Sequence, residues 1–251
     1  MLLLESLNVT LGKETCLERT VLNDLCLSLK KGEFVSIIGG NGAGKSTLFN
    51  VISGFITPDK GKVFLKGSDV TKDPQHKRSA MIAKVMQDPK AGTMEHLSIL
   101  ENMAFAYKRG KARGLLPYNT SKRRSFFAEK LEPLGMNLEN RLNDLVGSLS
   151  GGQRQALSLI MAVLTDFEVL LLDELTAALD PKVGETVMEL ANSVITSKNS
   201  TSLMITHNMA HALKYGGRVL VLHKGRIIKD ISKEEKAFLT PVTLAHEIPT
   251  D

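Results

Sequence analysis

The sequence is poor in the residues that mark several protein classes. Among its 251 residues it has no tryptophan, three tyrosines and two cysteines. Cys16 and Cys26 form no CxxC pair, so we expect reduced thiols and neither a disulfide framework nor a thiolate metal site. No apolar run approaches the roughly 20 residues that a membrane-spanning helix needs. The first residues carry no basic cluster and soon reach Glu5, which makes a poor signal peptide.

The remaining composition is that of a folded globular protein. Hydrophobic residues make up 43% and charged residues 24% of the chain, and the formal net charge is +5. This balance excludes a disordered or collagenous chain. The length allows one large domain, or a core with a smaller lobe. The positive charge permits an anionic partner without identifying one.

Two kinds of strand pattern follow one another. Leu25, Leu27 and Leu29 alternate with polar or small residues, and residues 62–67 follow a turn, so the first part predicts a small antiparallel sheet. Short apolar runs, typical of strands buried on both faces, occur at residues 34–38, 169–172, 203–205 and 219–222. Apolar stripes with helical spacing lie between these runs, at residues 48–55, 156–163 and 183–194. The alternation predicts a parallel sheet with helices on both faces.

Residues 88–148 differ from the rest and predict a helical lobe. Helical stretches are expected near residues 97–107 and 125–134, and no acidic residue occurs from 102 to 128. The basic residues of this stretch are Lys108, Arg109, Lys111, Arg113, Lys122, Arg123 and Arg124. They form either a solvated face or a surface for anionic lipid headgroups. We therefore expect a core at 1–87 and 149–231, a helical subdomain at 88–148 and a tail at 232–251.

The strongest motif lies between a predicted buried strand and a predicted helix. Residues 39–46 fit GxxxxGK[ST], the phosphate-binding P-loop. Its glycines let backbone N–H groups point inward, and the following helix directs its positive end at the same anion. Lys45 is expected to neutralise β- and γ-phosphate charge, and Ser46 to ligate Mg²⁺. The predicted nucleotide-binding residues here are Gly39, Asn41, Gly42, Ala43, Gly44, Lys45, Ser46 and Thr47.

Two further motifs carry polar groups. The apolar run at residues 169–172 ends in Asp173 and Glu174, where open α/β sheets bind ligands. Asp173 is expected in the Mg²⁺ shell, and Glu174 to orient or deprotonate the attacking water. Leu149-Ser150-Gly151-Gly152-Gln153 opens a predicted helix and offers a second phosphate nest, although a plain helix cap explains an isolated Ser-Gly-Gly equally well.

These motifs together, over about residues 3–229, resemble the ATPase subunits of ATP-binding cassette (ABC) transporters. The resemblance implies a P-loop NTPase (RecA-like) α/β core with an antiparallel β subdomain, an inserted α-helical subdomain, and ATP and Mg²⁺ as ligands. Ser150, Gly151, Gly152 and Gln153 are similar to the family's signature motif, and Ala178-Leu179-Asp180 to its D-loop. Gln87 stands at the Q-loop position, which reaches Mg²⁺ and water. His207 stands at the position of the histidine that senses the γ-phosphate.

The resemblance also implies partners. Family members form head-to-tail ATP-dependent homodimers, dock onto a transmembrane permease, and act indirectly with a solute-binding protein. That implies a cytoplasmic protein held at the inner face of the cell membrane, with residues 92–107 as the docking groove. Segments such as GNGAGKSTLFN, DELTAALDPK and THNM are similar to the corresponding segments in ATPases of putative tryptophan/tyrosine uptake systems. Import of amino acids is therefore expected, although export remains open.

The sequence departs from the family pattern in one respect. The family stacks adenine on an aromatic residue before the P-loop, but no aromatic residue precedes Phe34, and Leu11 stands near the expected place. We therefore predict weak binding of the adenine base and little discrimination between nucleotides.

The alternative function is that of a soluble cassette ATPase acting on nucleic acid or ribosomes. Such relatives usually have two cassettes or long insertions, whereas this chain has one cassette, so no nucleic acid is expected as a partner. Assignment as a small GTPase is not supported, because the sequence contains no NKxD motif for recognising guanine.

Overall fold

The computed structural model describes residues 1–111, 118–177 and 179–249, and the predicted positions Arg113 and Ala178 lie outside them. The strands are β1 (Leu2–Leu11), β2 (Arg19–Leu29), β3 (Phe34–Ile38), β4 (Lys60–Leu65), β5 (Ser68–Asp69), β6 (Ile82–Val85), β7 (Val169–Asp173), β8 (Thr201–Ile205), β9 (Arg218–His223) and β10 (Arg226–Ile231). The α-helices are α1 (Lys45–Ser53), α2 (Gln75–Arg78), α3 (Ile99–Tyr107), α4 (Ser121–Leu131), α5 (Gly151–Val163), α6 (Pro181–Lys198), α7 (Met209–Lys214), α8 (Lys233–Lys236) and α9 (Pro241–His246).

The larger sheet has the order β10-β9-β3-β8-β7-β6. Its strand pairs are parallel, except for the antiparallel pair of β9 and β10. β7 shows why its sequence is a continuous apolar run: Val169 and Leu171 enter one hydrophobic core, whereas Leu170 and Leu172 enter another on the opposite face. A strand buried on both faces has no place for polar alternation. The predicted parallel sheet is confirmed.

The smaller sheet is antiparallel, with the order β2-β1-β4-β5. Leu25, Leu27 and Leu29 of β2 are buried, and the residues between them are exposed, as their alternation predicts. These leucines share a hydrophobic core with α1 and with one face of the parallel sheet. The two sheets therefore enclose the helix that follows the glycine-rich loop.

Helices cover the other face of the parallel sheet. α3, α4, α5 and α6 contribute to the core that contains Leu170 and Leu172. α4 begins at Ser121, four residues before the predicted start, because the Thr120 side chain accepts a hydrogen bond from the backbone of Arg123 and caps the helix. The stretch that predicted a basic face is not uniformly solvated, since Arg109 is half-buried and donates to the carbonyl of Ala162 at 2.6 Å.

Several local features differ from the sequence predictions. β6 and β10 were not predicted, since β6 has only four residues and β10 is mostly exposed. The expected helical stripe ended at Phe55, but α1 ends at Ser53, where Gly54 takes a left-handed conformation with φ of 79°. Phe55 is consequently 68% exposed. A glycine at the end of a helical pattern is the signal that should have set this boundary.

The C-terminal segment packs against the core. Leu244 of α9 is fully buried in a small cluster with residues of β9 and with Ile231 of β10. Among the residues that the structure describes, none of the helices combines the length and the apolar character that crossing a bilayer requires.

Candidate nucleotide-binding and hydrolysis site

The glycine-rich loop joins the end of β3 to the start of α1. Gly42 and Gly44 have φ values of 77° and 105°, a region that side chains other than glycine rarely enter. Gly44 is the N-cap residue of α1, and within residues 1–111 no side chain caps this end of the helix. The first N–H groups of α1 are therefore left to bind an anion.

Lys45 lies back along this loop. Its Nζ donates hydrogen bonds to the carbonyls of Gly39 and Gly40, at 2.8 and 2.9 Å, which leaves one of its three donors for a ligand. Burial lowers the pKa of Lys45, and the charges of Glu174 and Asp173 oppose that shift. The ammonium group is thus fixed in the loop, where it feels the charges of Asp173 and Glu174 at the end of β7.

Asp173, the last residue of β7, faces a cation that the motif does not include. The Nζ atom of Lys84, on the adjacent strand β6, lies 3.8 Å from Oδ2 of Asp173 and donates to Oδ1 of Asn50 at 3.1 Å. Both charged side chains are nearly buried. Burial raises the pKa of Asp173; Lys84 opposes this, and the neighbouring Glu174 adds to it.

Glu174 is held by the two other residues predicted to take part in hydrolysis. Nε2 of Gln87 donates to Oε2 of Glu174 at 2.9 Å, and Nε2 of His207 lies 2.8 Å from Oε1. The backbone of Glu174 has a φ of 45°, uncommon for a residue with a side chain, and its N–H donates to the carbonyl of Ile205 at 3.0 Å. The geometry brings Gln87, Glu174 and His207 together.

This triad opens onto the glycine-rich loop. Glu174 and His207 line the same cavity as residues 41–47. Arg19 and Val21 of β2 also line it, and pattern analysis missed both because they belong to a different sheet. The signal in the sequence was the absence of an aromatic residue before Phe34, which indicates that other residues must line this side of the cavity.

The Ser150 to Gln153 motif lies elsewhere. The Ser150 side chain accepts from the backbone of Gln153, and the Gln153 side chain accepts in return from the backbone of Ser150, which forms a capping box at the start of α5. A Cβ on Gly152 would come within 2.2 Å of Cγ1 of Val183, so α5 and α6 approach closely there. Asp180 caps α6 by accepting from the backbone of Val183. None of these motif residues lines the cavity at residues 41–47.

The residues fit a nucleoside triphosphate and a divalent cation. The uncapped start of α1 and the free donor of Lys45 suit a chain of phosphates. Ser46, Gln87 and Asp173 offer the hydroxyl, amide and carboxylate oxygens that Mg²⁺ prefers.

Comparisons with known proteins decide the family. The sequence profile described as "ABC transporter" matches residues 22–177. The chain belongs to the ABC transporter family. A tyrosine transport ATP-binding protein of Clostridioides difficile is 44% identical over 88% of each chain. A thiamine import ATP-binding protein of Salmonella choleraesuis is 34% identical over 80% of each chain.

Solved structures agree with this membership. An ATP-binding cassette solved as a dimer, in a post-hydrolysis state with ADP and Pi, has a TM-score of 0.80 and 28% identity, and covers 93% of this chain and 99% of its own. A nucleotide-free cassette of an ABC transporter has a TM-score of 0.81 and 25% identity, and covers 100% of this chain. The predicted fold is confirmed, and this ABC protein is an ATP-binding, ATP-hydrolysing subunit of a transporter.

Proposed function

We propose that this ABC ATPase drives the import of an amino acid, with an aromatic side chain as the first candidate. The observation that carries the solute class is the 44% identity, over 88% of both chains, to a tyrosine transport ATP-binding protein. The motif sequences also resemble those of tryptophan/tyrosine uptake ATPases, which supports the same solute class.

In the proposed mechanism the glycine-rich loop holds the phosphates of ATP. The N–H groups at the start of α1 donate to phosphate oxygens, and Lys45 neutralises part of their charge from its fixed position on the carbonyls of Gly39 and Gly40. Ser46, Asp173 and Gln87 would hold Mg²⁺, which would neutralise part of the phosphate charge.

Glu174 is the proposed general base. Its carboxylate accepts a proton from the water that attacks the γ-phosphate. Gln87 and His207 engage its two different oxygens, so the carboxylate is oriented before the water arrives. His207 also lines the cavity formed by residues 41–47, and this position suits a sensor of the γ-phosphate.

The site needs a second copy of the chain to be complete. Ser150, Gly151 and Gly152 do not line their own cavity, so we propose that they close over the ATP held by another protomer, and that Asp180 lies in the same interface. A related cassette solved as a dimer supports this arrangement. Closure excludes water from the site and adds donors at the γ-phosphate. Loss of that phosphate then opens the dimer.

The dimer is tested with Glu174→Gln, which keeps the shape of the side chain and removes the base. We expect this variant to bind Mg-ATP and to elute as a dimer, whereas its hydrolysis rate falls by about 10²- to 10⁴-fold. Adding Ser150→Arg should abolish the dimer and leave ATP binding intact, because Ser150 does not line the cavity at residues 41–47 of its own protomer. A Glu174→Gln protein that stays monomeric with saturating Mg-ATP would rule out the arrangement.

We further propose that a permease docks beside α3 and holds the protein at the cytoplasmic face of the membrane. The predicted groove, residues 92–107, ends next to an open cavity where the exposed Phe105 meets basic residues from two elements. The residues lining that cavity are His76, Lys77, Ser79, Ala80, Phe105, Ala106, Lys108, Arg109, Gly110 and Lys111. An apolar segment with an acidic end suits this surface.

Transport is tested by reconstitution with the permease that co-purifies. Vesicles containing the permease, the solute-binding protein and this ATPase should accumulate radiolabelled tyrosine or tryptophan only with ATP present. The Glu174→Gln protein is the matched control and should support no accumulation. ATP-dependent uptake of polyamine or thiamine instead would overturn the proposed solute class while leaving the ATPase assignment intact.

A further inference from the structure

The cavity beside the glycine-rich loop has a second wall that no motif describes. Residues 41–47 form one side, and Arg19 and Val21 of β2 form the other. Among the described residues that line this cavity there is no Phe, Tyr or Trp. A nucleobase bound in this cavity would therefore meet no Phe, Tyr or Trp ring there.

Packing explains why Arg19 lies at this position. A Cβ on Gly44 would come within 2.8 Å of the carbonyl oxygen of Val21, and a Cβ on Gly225 within 2.3 Å of the same atom, so β2 is pressed against the loop. Arg19 lies two residues before Val21 on the same strand, and both residues line the cavity. Across the strand pair, Arg19 is the partner of Leu11.

The Arg19 side chain is free to bind a ligand. It is exposed, and within the described part of the chain it takes part in no hydrogen bond or ion pair. Other arginines are engaged: Arg218 pairs with Glu33 and Asp230, and Arg226 donates to Asn23.

We propose that Arg19 is the platform for the nucleobase, with its guanidinium stacked on the purine ring. A guanidinium is planar, weakly hydrated and attracted to the faces of π systems, so it can replace an aromatic ring. Because stacking uses the face of the base and not its edge, ATP and GTP should bind with similar affinity. This inference rests on the proposed binding of triphosphates at residues 39–46.

The experiment compares ligands with and without a base. ATP, GTP and inorganic tripolyphosphate are titrated calorimetrically into the full-length protein in the presence of EDTA, which prevents hydrolysis. We expect Arg19→Ala to weaken ATP and GTP binding by about 5- to 20-fold, the range of a cation–π contact, and to leave tripolyphosphate binding unchanged. Arg19→Lys keeps the charge without the planar group and should fall between Arg19→Ala and the wild type for both nucleotides.

A matched control removes a charge from the same sheet. Lys62, on β4, is exposed and does not line the cavity, so Lys62→Ala should bind all three ligands as the wild type does. An equal loss of tripolyphosphate and ATP affinity in Arg19→Ala would mean that Arg19 acts on the phosphates, and unchanged nucleotide affinity would mean that it acts on nothing. Either result overturns the proposal. Failure of the loop assignment itself would appear separately, as a Lys45→Ala protein that keeps wild-type tripolyphosphate affinity.

Discussion

At the scale of single residues, the site contains an internal cation. Lys84 lies beside Asp173, a proposed ligand of Mg²⁺, and both side chains are mostly buried. A fixed positive charge here compensates the carboxylate while the metal is absent and repels the metal as it binds. We therefore expect Lys84 to influence how much Mg²⁺ the ATPase needs.

This role predicts the effect of Lys84→Met. Removing the charge should lower the Mg²⁺ concentration for half-maximal ATP hydrolysis by about tenfold, as expected for a unit charge several ångströms away at an intermediate dielectric constant. Lys84→Arg keeps the charge and should stay near the wild-type value. A higher Mg²⁺ requirement in Lys84→Met would show that the lysine mainly orients Asp173. Direct titration with Mn²⁺, followed by its magnetic resonance signal, gives the same comparison without turnover.

Residues of this kind set the limit of prediction from sequence. Asp173, Glu174 and the glycine-rich loop were predictable because each occupies a fixed offset from an apolar strand. Lys84 and Arg19 lie at no fixed offset from a strand that the sequence pattern reveals. Lys84 interrupts a four-residue strand too short to recognise, and Arg19 reaches the cavity through contacts between two sheets, which no local pattern encodes.

At the scale of elements, a buried arginine binds the last turn of α1, the helix that follows the glycine-rich loop. Arg78 is fully buried, and its Nη1 donates to the carbonyls of Val51 and Ile52 in the last turn of α1, at 2.7 and 2.9 Å. Its remaining nitrogens donate to the carbonyls of Thr71 and Asp73. A cation at the C-terminal end of a helix also complements its dipole.

Substitution of Arg78 should therefore destabilise the protein strongly. Arg78→Met leaves four carbonyls without this donor, and we expect the free energy of unfolding in urea to fall by about 3–5 kcal/mol. Arg78→Lys keeps a charge but not the planar fork and should lose about 2–3 kcal/mol. The exposed control Lys62→Met should stay within about 0.5 kcal/mol of the wild type. Equal stability of Arg78→Lys and wild type would contradict the importance of the fork.

Elements also differ in how predictable they were. α5 and α6 were predicted from the apolar stripes at residues 156–163 and 183–194, and α5 also from the Ser-Gly-Gly segment that opens it. α4 was predicted too late in the chain, since its first turn is basic and only the Thr120 cap marks its start. Both the capping residue and the apolar stripe are needed to place a helix start.

At the scale of the whole molecule, the topology assembles the site. Gly39, Gln87, Glu174 and His207 each follow the carboxyl end of a strand, and β3, β8, β7 and β6 are consecutive neighbours in the parallel sheet. Parallel strands end at one edge, so residues far apart in the chain converge there. Ser150, at the start of α5, does not line the cavity at that edge, which is why the proposed closure uses a second copy.

At this scale, a buried lysine also connects the C-terminal tail to the core. Lys236 of α8 is buried, and its Nζ donates to the carbonyls of Tyr215 and Gly216 at 2.7 and 2.8 Å. Burial lowers the pKa of Lys236 to about 8 from 10.5. Between these two pH values the unfolded chain holds a proton that the folded chain has lost, so this group makes the free energy of unfolding rise with pH.

Comparison with Lys236→Met isolates this contribution, because all other titrating groups are common to both proteins. The free energy of unfolding of the wild type minus that of Lys236→Met should increase by about 2–3 kcal/mol between pH 7 and pH 10.5. Urea unfolding at four or five pH values in this window measures the difference. A difference that stays constant with pH would mean that Lys236 keeps its proton throughout, held by the two carbonyls against the cost of burial.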